Sequence, residues 1–468
     1  MSDHTPQETV ERALGIAAGI AGVDGCVVIA DESSSTNLRW ANNTLTTNGV
    51  TRGRRLTVVA TVNGADGAAA GVVSRSAVGP ADLDDLVRAA VAAARDNTPA
   101  QDAGPLVEPT SAVGGTWVDA PRETSAAVFE GFVGELGIEL NRAAAEDRLL
   151  FGFAEHEMNT AYLGSSTGLR LRHDQPTGRL EMNAKSTDLA RSAWAGAATR
   201  DFSDIDVHRE CDALARQLDW AARAIELPAG RYETILPPTA LADLMIYMYW
   251  SSGARDAHDG RTVFSKPGGG TRVGEQLTQL PLTLRSDPFA LGLSCDPFVI
   301  AHASSGESSV FDNGLPLSPT TWIDAGRLNS LIQTRYTAAL TGLPVTPPID
   351  NLIFEQPGAT ASVDDMIAST TRGLLLTCLW YIRPVDPQTL LLTGLTRDGV
   401  YLIENGEVTG AVNNFRFNES PVDMLSRTTE VGATVPCLPR EWNDYFSRTA
   451  MPAVRVSDFN MSTVSQAS

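Results

Sequence analysis

Cysteine is scarce and scattered in this chain. Cys26, Cys211, Cys295, Cys378 and Cys437 are the only five, and no two form a C-x-x-C pair. An odd, dispersed set fits a reducing compartment better than a disulfide framework. Positive charge is also short, with 36 Lys+Arg against 56 Asp+Glu and a formal net charge of −20. Nucleic acid and anionic lipid both need a positive footprint, so neither is expected as a main partner. The first residues hold no basic segment running into an apolar one. The longest apolar stretches, Leu241–Trp250 and Leu374–Ile382, are too short or too interrupted to span a hydrocarbon core of roughly 30 Å. These absences lead to the expectation of a soluble, cytoplasmic protein that meets neither nucleic acid nor membrane.

Catalytic signatures are missing as well. The six histidines, His4, His156, His173, His208, His258 and His302, include no pair at single-turn spacing, which is how one helix supplies two zinc ligands. His156-Glu157 opens like a zincin motif, but Thr160 stands where the second histidine belongs. The surrounding alternation makes His156 a polar strand residue. There is no G-x-S-x-G elbow, and Cys378 sits in an apolar run that predicts a buried, inert thiol. Lys266-Pro267-Gly268-Gly269-Gly270 lacks the order of a phosphate-binding loop and reads as a flexible connection. Asp84-Asp85 and Asp364-Asp365 read as caps or turn residues. The residues alone disclose no catalytic machinery.

What is present is a long alternation of helices and strands. At 468 residues the chain exceeds what one core usually supports, so two domains are expected. Apolar spacing predicts helices over Pro6–Ala21, Ala81–Arg95, Glu123–Ala145 and Ile205–Ile225. Strands are expected over Gly25–Asp31, Leu38–Asn42, Leu56–Val62, Leu149–Tyr162, Leu169–His173 and Leu180–Lys185, with a turn at Pro176-Thr177-Gly178 and a proline-bearing connector over Thr98–Pro121. Pro228-Ala229-Gly230 marks the boundary between domains 1–227 and 228–468. The second half reads as strand-rich, with runs at Tyr232–Leu236, Leu282–Leu284, Phe298–Ala303, Ser309–Phe311, Thr321–Ile323, Leu328–Thr334, Gly373–Ile382, Leu390–Leu395 and Val400–Val412. Its one clear helix is Ala240–Trp250, where Leu241, Leu244, Met245 and Met248 form an apolar face. Asn405-Gly406 between apolar runs predicts a type I′ hairpin, and Ala325-Gly326 echoes it. The expected fold is α+β: an N-terminal α/β domain, then a larger, mostly antiparallel β-rich domain with one central helix.

An ordered set of segments is similar to the TldD/PmbA family, once called modulators of DNA gyrase. Near the start stand Arg39-Trp40-Ala41-Asn42-Asn43-Thr44-Leu45 and Arg54–Val58, then Leu163–Leu169 and Arg231–Pro238. Leu282–Pro288, Phe311-Asp312-Asn313-Gly314, Leu328–Ile332, Tyr401–Val408 with Asn405 and Gly406, Asn414–Ser420 with Arg416 and Asn418, and Met451–Val456 follow in order. The acidic balance argues against reading the gyrase label as DNA binding.

The resemblance implies a subunit of a cytoplasmic zinc metalloprotease. The catalytic type of subunit carries H-E-x-x-x-H on its central helix and a later cysteine ligand, with the glutamate activating water. By approximate alignment Ile246 and Ser251 stand where the histidines would be, Tyr247 where the glutamate would be, and Cys378 in the region of the cysteine. The chain therefore resembles the non-catalytic PmbA (TldE) type. No catalytic or metal residue and no cofactor is expected in this chain; zinc is expected in a TldD-type partner, and unfolded or extended peptides as substrate. The alternatives are a stand-alone peptide-binding or scaffolding protein and, behind it, an independent hydrolase.

Overall fold

The computed structural model describes residues 4–109 and 117–465. The chain opens with helix α1 (Pro6–Ala18), started by a capping box. The Thr5 hydroxyl accepts from the Glu8 amide, and the Glu8 carboxylate accepts from the Thr5 amide. The predicted short strands then merge into long ones: β1 (Gly25–Ala41), β2 (Thr44–Gly64), β3 (Gly67–Ser76), β4 (Arg148–Ser165), β5 (Arg170–Ser186) and β6 (Ser192–Thr199). They form one antiparallel sheet in the order β3-β2-β1-β4-β5-β6. Pro176-Thr177-Gly178 does not turn the chain but lies within β5. Pairing with β6 begins only at Gly178, so Pro176 sits where no β6 neighbour needs its missing N–H.

Even-numbered side chains of β1, β2, β4 and β5 face four helices. Val28, Ala30 and Val58 pack with α1 and α2 (Leu83–Asp96). Trp40, Ala154, Leu180 and Met182 pack with α3 (Glu130–Ala145) and α4 (Val207–Trp220). The opposite face carries Val27, Ile29, Val59, Leu163 and Leu171, which bury against Phe298, Val310 and Phe311 of the second half. The expected connector 98–121 has neither helix nor strand over 98–109 and 117–121; its residues 110–116 lie outside the described residues.

Two further sheets make up the rest. The larger joins ten strands, among them Ala224–Ile225, Gly230–Leu236, Arg372–Leu376, Val400–Glu404, Glu407–Val412 and Val454–Val464. Its pairs are antiparallel except where Arg372–Leu376 meets Gly230–Leu236 and where Glu407–Val412 meets Ala224–Ile225. A six-stranded sheet includes Thr283–Ser286, Thr320–Asp324 and Leu352–Glu355. Helix α5 (Pro238–Trp250) lies in the largest core. It is joined by four short helices the sequence did not disclose: α6 (Ala254–His258), α7 (Arg335–Thr341), α8 (Val363–Ala368) and α9 (Pro421–Arg427). The fold is α+β with α5 as the central helix of this half, as expected; the four short helices are additions to it.

Four strand assignments also change. Of Leu328–Thr334 only Leu328 is in a strand; Ile332 and Gln333 make isolated bridges and Thr334 caps α7. Phe298–Ala303 makes only an isolated bridge, from Phe298 to Pro316, and Val310–Asp312 is a short 3-10 turn. The run Gly373–Ile382 breaks at Thr377-Cys378, where the Thr377 amide and hydroxyl both donate to the Gly399 carbonyl. Among the described residues, no helix is long and apolar enough to cross a membrane.

Candidate functional site

Helix α5 follows directly from the strand Gly230–Leu236, with Pro238 in its first turn, where a missing N–H is harmless. Sequence spacing indicates one apolar face, yet the helix is buried almost all round: Leu241, Leu244, Met245 and Ile246 are inaccessible to water. A helix apolar on every side belongs in a core. The exception is Asp243, fully buried and on no list of candidates that the sequence supplied. One carboxylate oxygen accepts from the Glu441 amide at 2.9 Å and the other from the Arg440 amide at 3.3 Å. The Asp243 carbonyl accepts from Trp442 Nε1 at 2.9 Å. Burial holds its pKa well above the usual carboxylate range.

Asp243 thereby fastens the segment 440–446 across α5. The Trp442 ring lies 5.7 Å from Tyr247 and 5.2 Å from Trp250, and Phe446 stands 5.9 Å from Tyr249. The Glu441 carboxylate accepts from the Tyr381 and Ile382 amides at 3.1 and 3.2 Å. The Arg440 guanidinium sits 5.1 Å from the Trp194 ring and 4.7 Å from Trp380, and reaches Glu181 of β5 at 3.2 Å. This segment is a plug, built from rings and a caged cation.

Beneath it lie the positions aligned with a zinc set. Ile246 is buried among apolar neighbours. Tyr247 is half-buried against Trp442, and the Ser251 hydroxyl donates back to the Tyr247 carbonyl at 2.8 Å. Cys378 is buried beside Arg440, and desolvation pushes its thiol pKa far up, the opposite of a ready thiolate ligand. One alkyl chain, one phenol, one committed hydroxyl and one protonated thiol do not fit zinc. Among the described residues, no three of His, Cys, Asp and Glu converge as a metal would require.

The other family-motif residues lie apart from α5 and from one another, and each has a local role. Asn42 and Asn43 take φ of 49° and 60° in the two-residue loop joining β1 to β2. The Asn43 side chain donates to the Arg148 carbonyl and accepts from the Leu150 amide, prolonging the sheet onto β4. Asn405 and Gly406 take φ of 54° and 85°, the predicted type I′ turn, and their amides donate to Thr371 and Thr370. Arg416 is exposed and touches the Thr393 hydroxyl at 3.4 Å. Asn418 is half-buried, with an Oδ1 that no donor reaches among the described residues. His156 is a buried strand residue, bound on both nitrogens by the Thr124 hydroxyl and the Arg200 carbonyl at 2.7 Å.

Sequence reasoning missed two clefts. One, of about 360 Å³, adjoins the C-terminal end of α5 and is lined by Tyr249, Trp250, Glu307, Asp312 and Asp350. The other, of about 730 Å³, opens between the first sheet and the second half. Asp296 and Asp350 line both. The smaller cleft draws its lining from between Tyr249 and Phe446 and the larger from between Asp31 and Arg448, so no local motif announces them. Desolvation raises Glu307 to about 7 and, despite Arg448 beside it, Asp350 to about 6. For Glu307 a folded pKa above the unfolded one means that its contribution is full below about 4.5 and lost as pH rises through about 7. Glu307→Gln is therefore expected to raise stability at pH 8 by about 1–3 kcal/mol, with the gain vanishing near pH 4. Denaturant midpoints at the two pH values check this; a gain independent of pH would refute it.

A family model described as the PmbA/TldA metallopeptidase C-terminal domain matches residues 229–463. No curated protein matches the chain. Among solved structures, TldE from Thermococcus kodakarensis superposes with a TM-score of 0.79 at 17% identity, covering 97% of this chain and 99% of that one. A candidate modulator of a DNA gyrase from Thermotoga maritima MSB8 gives 0.76 at 18% identity, with 97% and 99% covered. Another, from Bacteroides thetaiotaomicron VPI-5482, gives 0.76 at 15% identity, with 97% and 98% covered. At these identities the superpositions establish a shared fold.

Proposed function

The chain belongs to the TldD/PmbA family of metallopeptidase-related proteins, and from that premise we propose that it is the non-catalytic subunit of a TldD/TldE-type peptidase complex. A TldD-type partner brings the zinc, which supplies the activated water. This chain completes the enclosure and holds unfolded peptide in extended form. The observation that carries the reading is the state of α5: the ligand positions hold Ile246, Tyr247 and Ser251 under a plug pinned by Asp243. Such a helix is built for packing, and it leaves the chemistry to another chain. Peptide holding is supported by an open strand edge. β3 pairs with β2 only from Arg55 onward, so among the described residues no strand covers the outer edge of Thr44–Gly53. Main-chain hydrogen bonding along an edge accepts many sequences alike.

The test is reconstitution. The purified chain is expected to hold no stoichiometric zinc and to cleave no peptide, and to co-elute with a zinc-bearing relative in a complex active on unfolded peptide. An obligate interface of this kind buries roughly 2,000 Å² or more. About one zinc per isolated chain with chelator-sensitive cleavage would overturn the reading. Separate elution, with the relative equally active alone, would favour a stand-alone peptide-binding scaffold.

A further inference from the structure

The polar cleft between the first sheet and the second half begins where the sheet's inner face changes character. Along β1 that face runs Val27, Ile29, then Asp31 and Ser33; along β5 it runs Leu171, then His173 and Gln175. Apolar residues seal the first part against Phe298 and Phe311. The polar rows open onto Asp296, His302, Asp350 and Arg448.

Most charges in the cleft are already matched. Arg55 Nε donates to Asp31 at 3.1 Å, and its Nη2 to His302 Nε2 at 3.1 Å, which leaves His302 Nδ1 to donate to the Thr57 hydroxyl. Arg52 pairs with Glu123, Arg54 with Glu32, and Arg448 with Asp350. Asp296 is the odd one. The nearest basic side chain it faces is His173, with Nε2 at 3.8 Å, beyond hydrogen-bond length, and that nitrogen lies 3.2 Å from Gln175 Oε1. The Asp296 side chain keeps 40% of its surface open, so a ligand can reach it. Neighbouring protein atoms still crowd it enough to raise its pKa.

The open edge of β2 leads to this place. Thr44-Leu45-Thr46-Thr47-Asn48-Gly49-Val50-Thr51 has no proline and no charge, the usual devices that blunt an edge. The edge continues through Arg52 and Gly53, and the Ala77 amide, bonded to the Arg54 carbonyl, closes it. Arg52, Gly53, Arg54 and Ala77 all line the cleft. An extended strand laid on the edge therefore delivers its end to the cleft.

We propose that the cleft binds a primary ammonium group against Asp296, and that its occupant is the amino terminus of a peptide paired along Thr44–Gly53. The inference rests on the peptide-holding part of the proposed function and names the end of the peptide that is read. A cation supplies the hydrogen-bond donors that Asp296 lacks, whereas an anion would meet arginines already committed elsewhere.

Fluorescence anisotropy on the full chain tests it, with one unstructured, lysine-free peptide labelled at its carboxyl end. The free-amine form is expected to bind at least about tenfold tighter than its N-acetylated twin. Asp296→Asn should remove that difference, and Asp296→Glu should restore part of it. Equal affinity of the free and acetylated peptides overturns the site while leaving peptide holding intact, and that arm needs no variant. An acetylated peptide with one lysine that recovers full affinity assigns the site to side-chain amines and overturns the terminus claim. If no peptide binds but methylamine titrates in at an Asp296-dependent site, the ammonium site stands and peptide holding falls. Self-association of the chain without any peptide or amine binding would give the edge to a second copy and overturn the proposal.

Discussion

Restoring a zinc set on α5, by Ile246→His, Tyr247→Glu and Ser251→His together, is expected to lower stability by about 4–7 kcal/mol and to recruit no stoichiometric zinc. Ile246 is fully buried, and removing a buried isoleucine costs about 2–5 kcal/mol before the new group is considered. An imidazole there must be desolvated without a partner, at about 1–3 kcal/mol. Tyr247→Glu removes the ring packed at a tilt against Trp442 and places a charge beside a packed indole. Ser251→His loses only the bond back to the Tyr247 carbonyl, so the cost falls mainly on the first two. Coordination is not expected to offset these losses, because Ile246 is packed among apolar neighbours and Trp442 closes on Tyr247 and Trp250. Denaturant unfolding with elemental analysis of the folded fraction decides the matter. A variant that held about one zinc at an unchanged midpoint would show an open, pre-shaped cavity under residues 440–446.

How much of this was legible beforehand depends on the range of the forces involved. Asn405-Gly406 was readable as a turn because asparagine and glycine both tolerate positive φ, and Ala325-Gly326 as its echo; both pairs adopt it. Helix α5 was readable from its run of apolar residues. That it is buried on every side depends on residues 440–446, some two hundred positions away, which no window of sequence contains. Phe298–Ala303 is an apolar run that reads as a buried strand, but Phe298 and Ile300 are spent on the inner face of the first sheet. Packing across the two halves overrode local pattern there. The four short helices α6 to α9 are too brief to show a period. The clefts were invisible for the same reason as Asp243: their residues meet only when three sheets assemble.

Asp243→Ala is the second large effect, an expected loss of about 3–5 kcal/mol with selective loosening of residues 440–446. The substitution leaves the Arg440 and Glu441 amides without acceptors in a dry setting, at about 1–3 kcal/mol each. It also frees the segment whose rings cover α5, so limited proteolysis should cut near Trp442 before global unfolding. Asp243→Asn is expected to cost less, because its amide oxygen still accepts one bond and carries no charge into the core. The two variants also separate by pH. Burial raises the Asp243 pKa, so its contribution is full below the unfolded value near 3.8 and declines as pH rises toward the folded value. The wild type should therefore lose stability between pH 4 and pH 8 more steeply than Asp243→Asn, since the asparagine has no proton to release. Parallel slopes would mean that the two amide donors outweigh burial and keep the carboxylate ionised, making the plug an anion clamp rather than a neutral one.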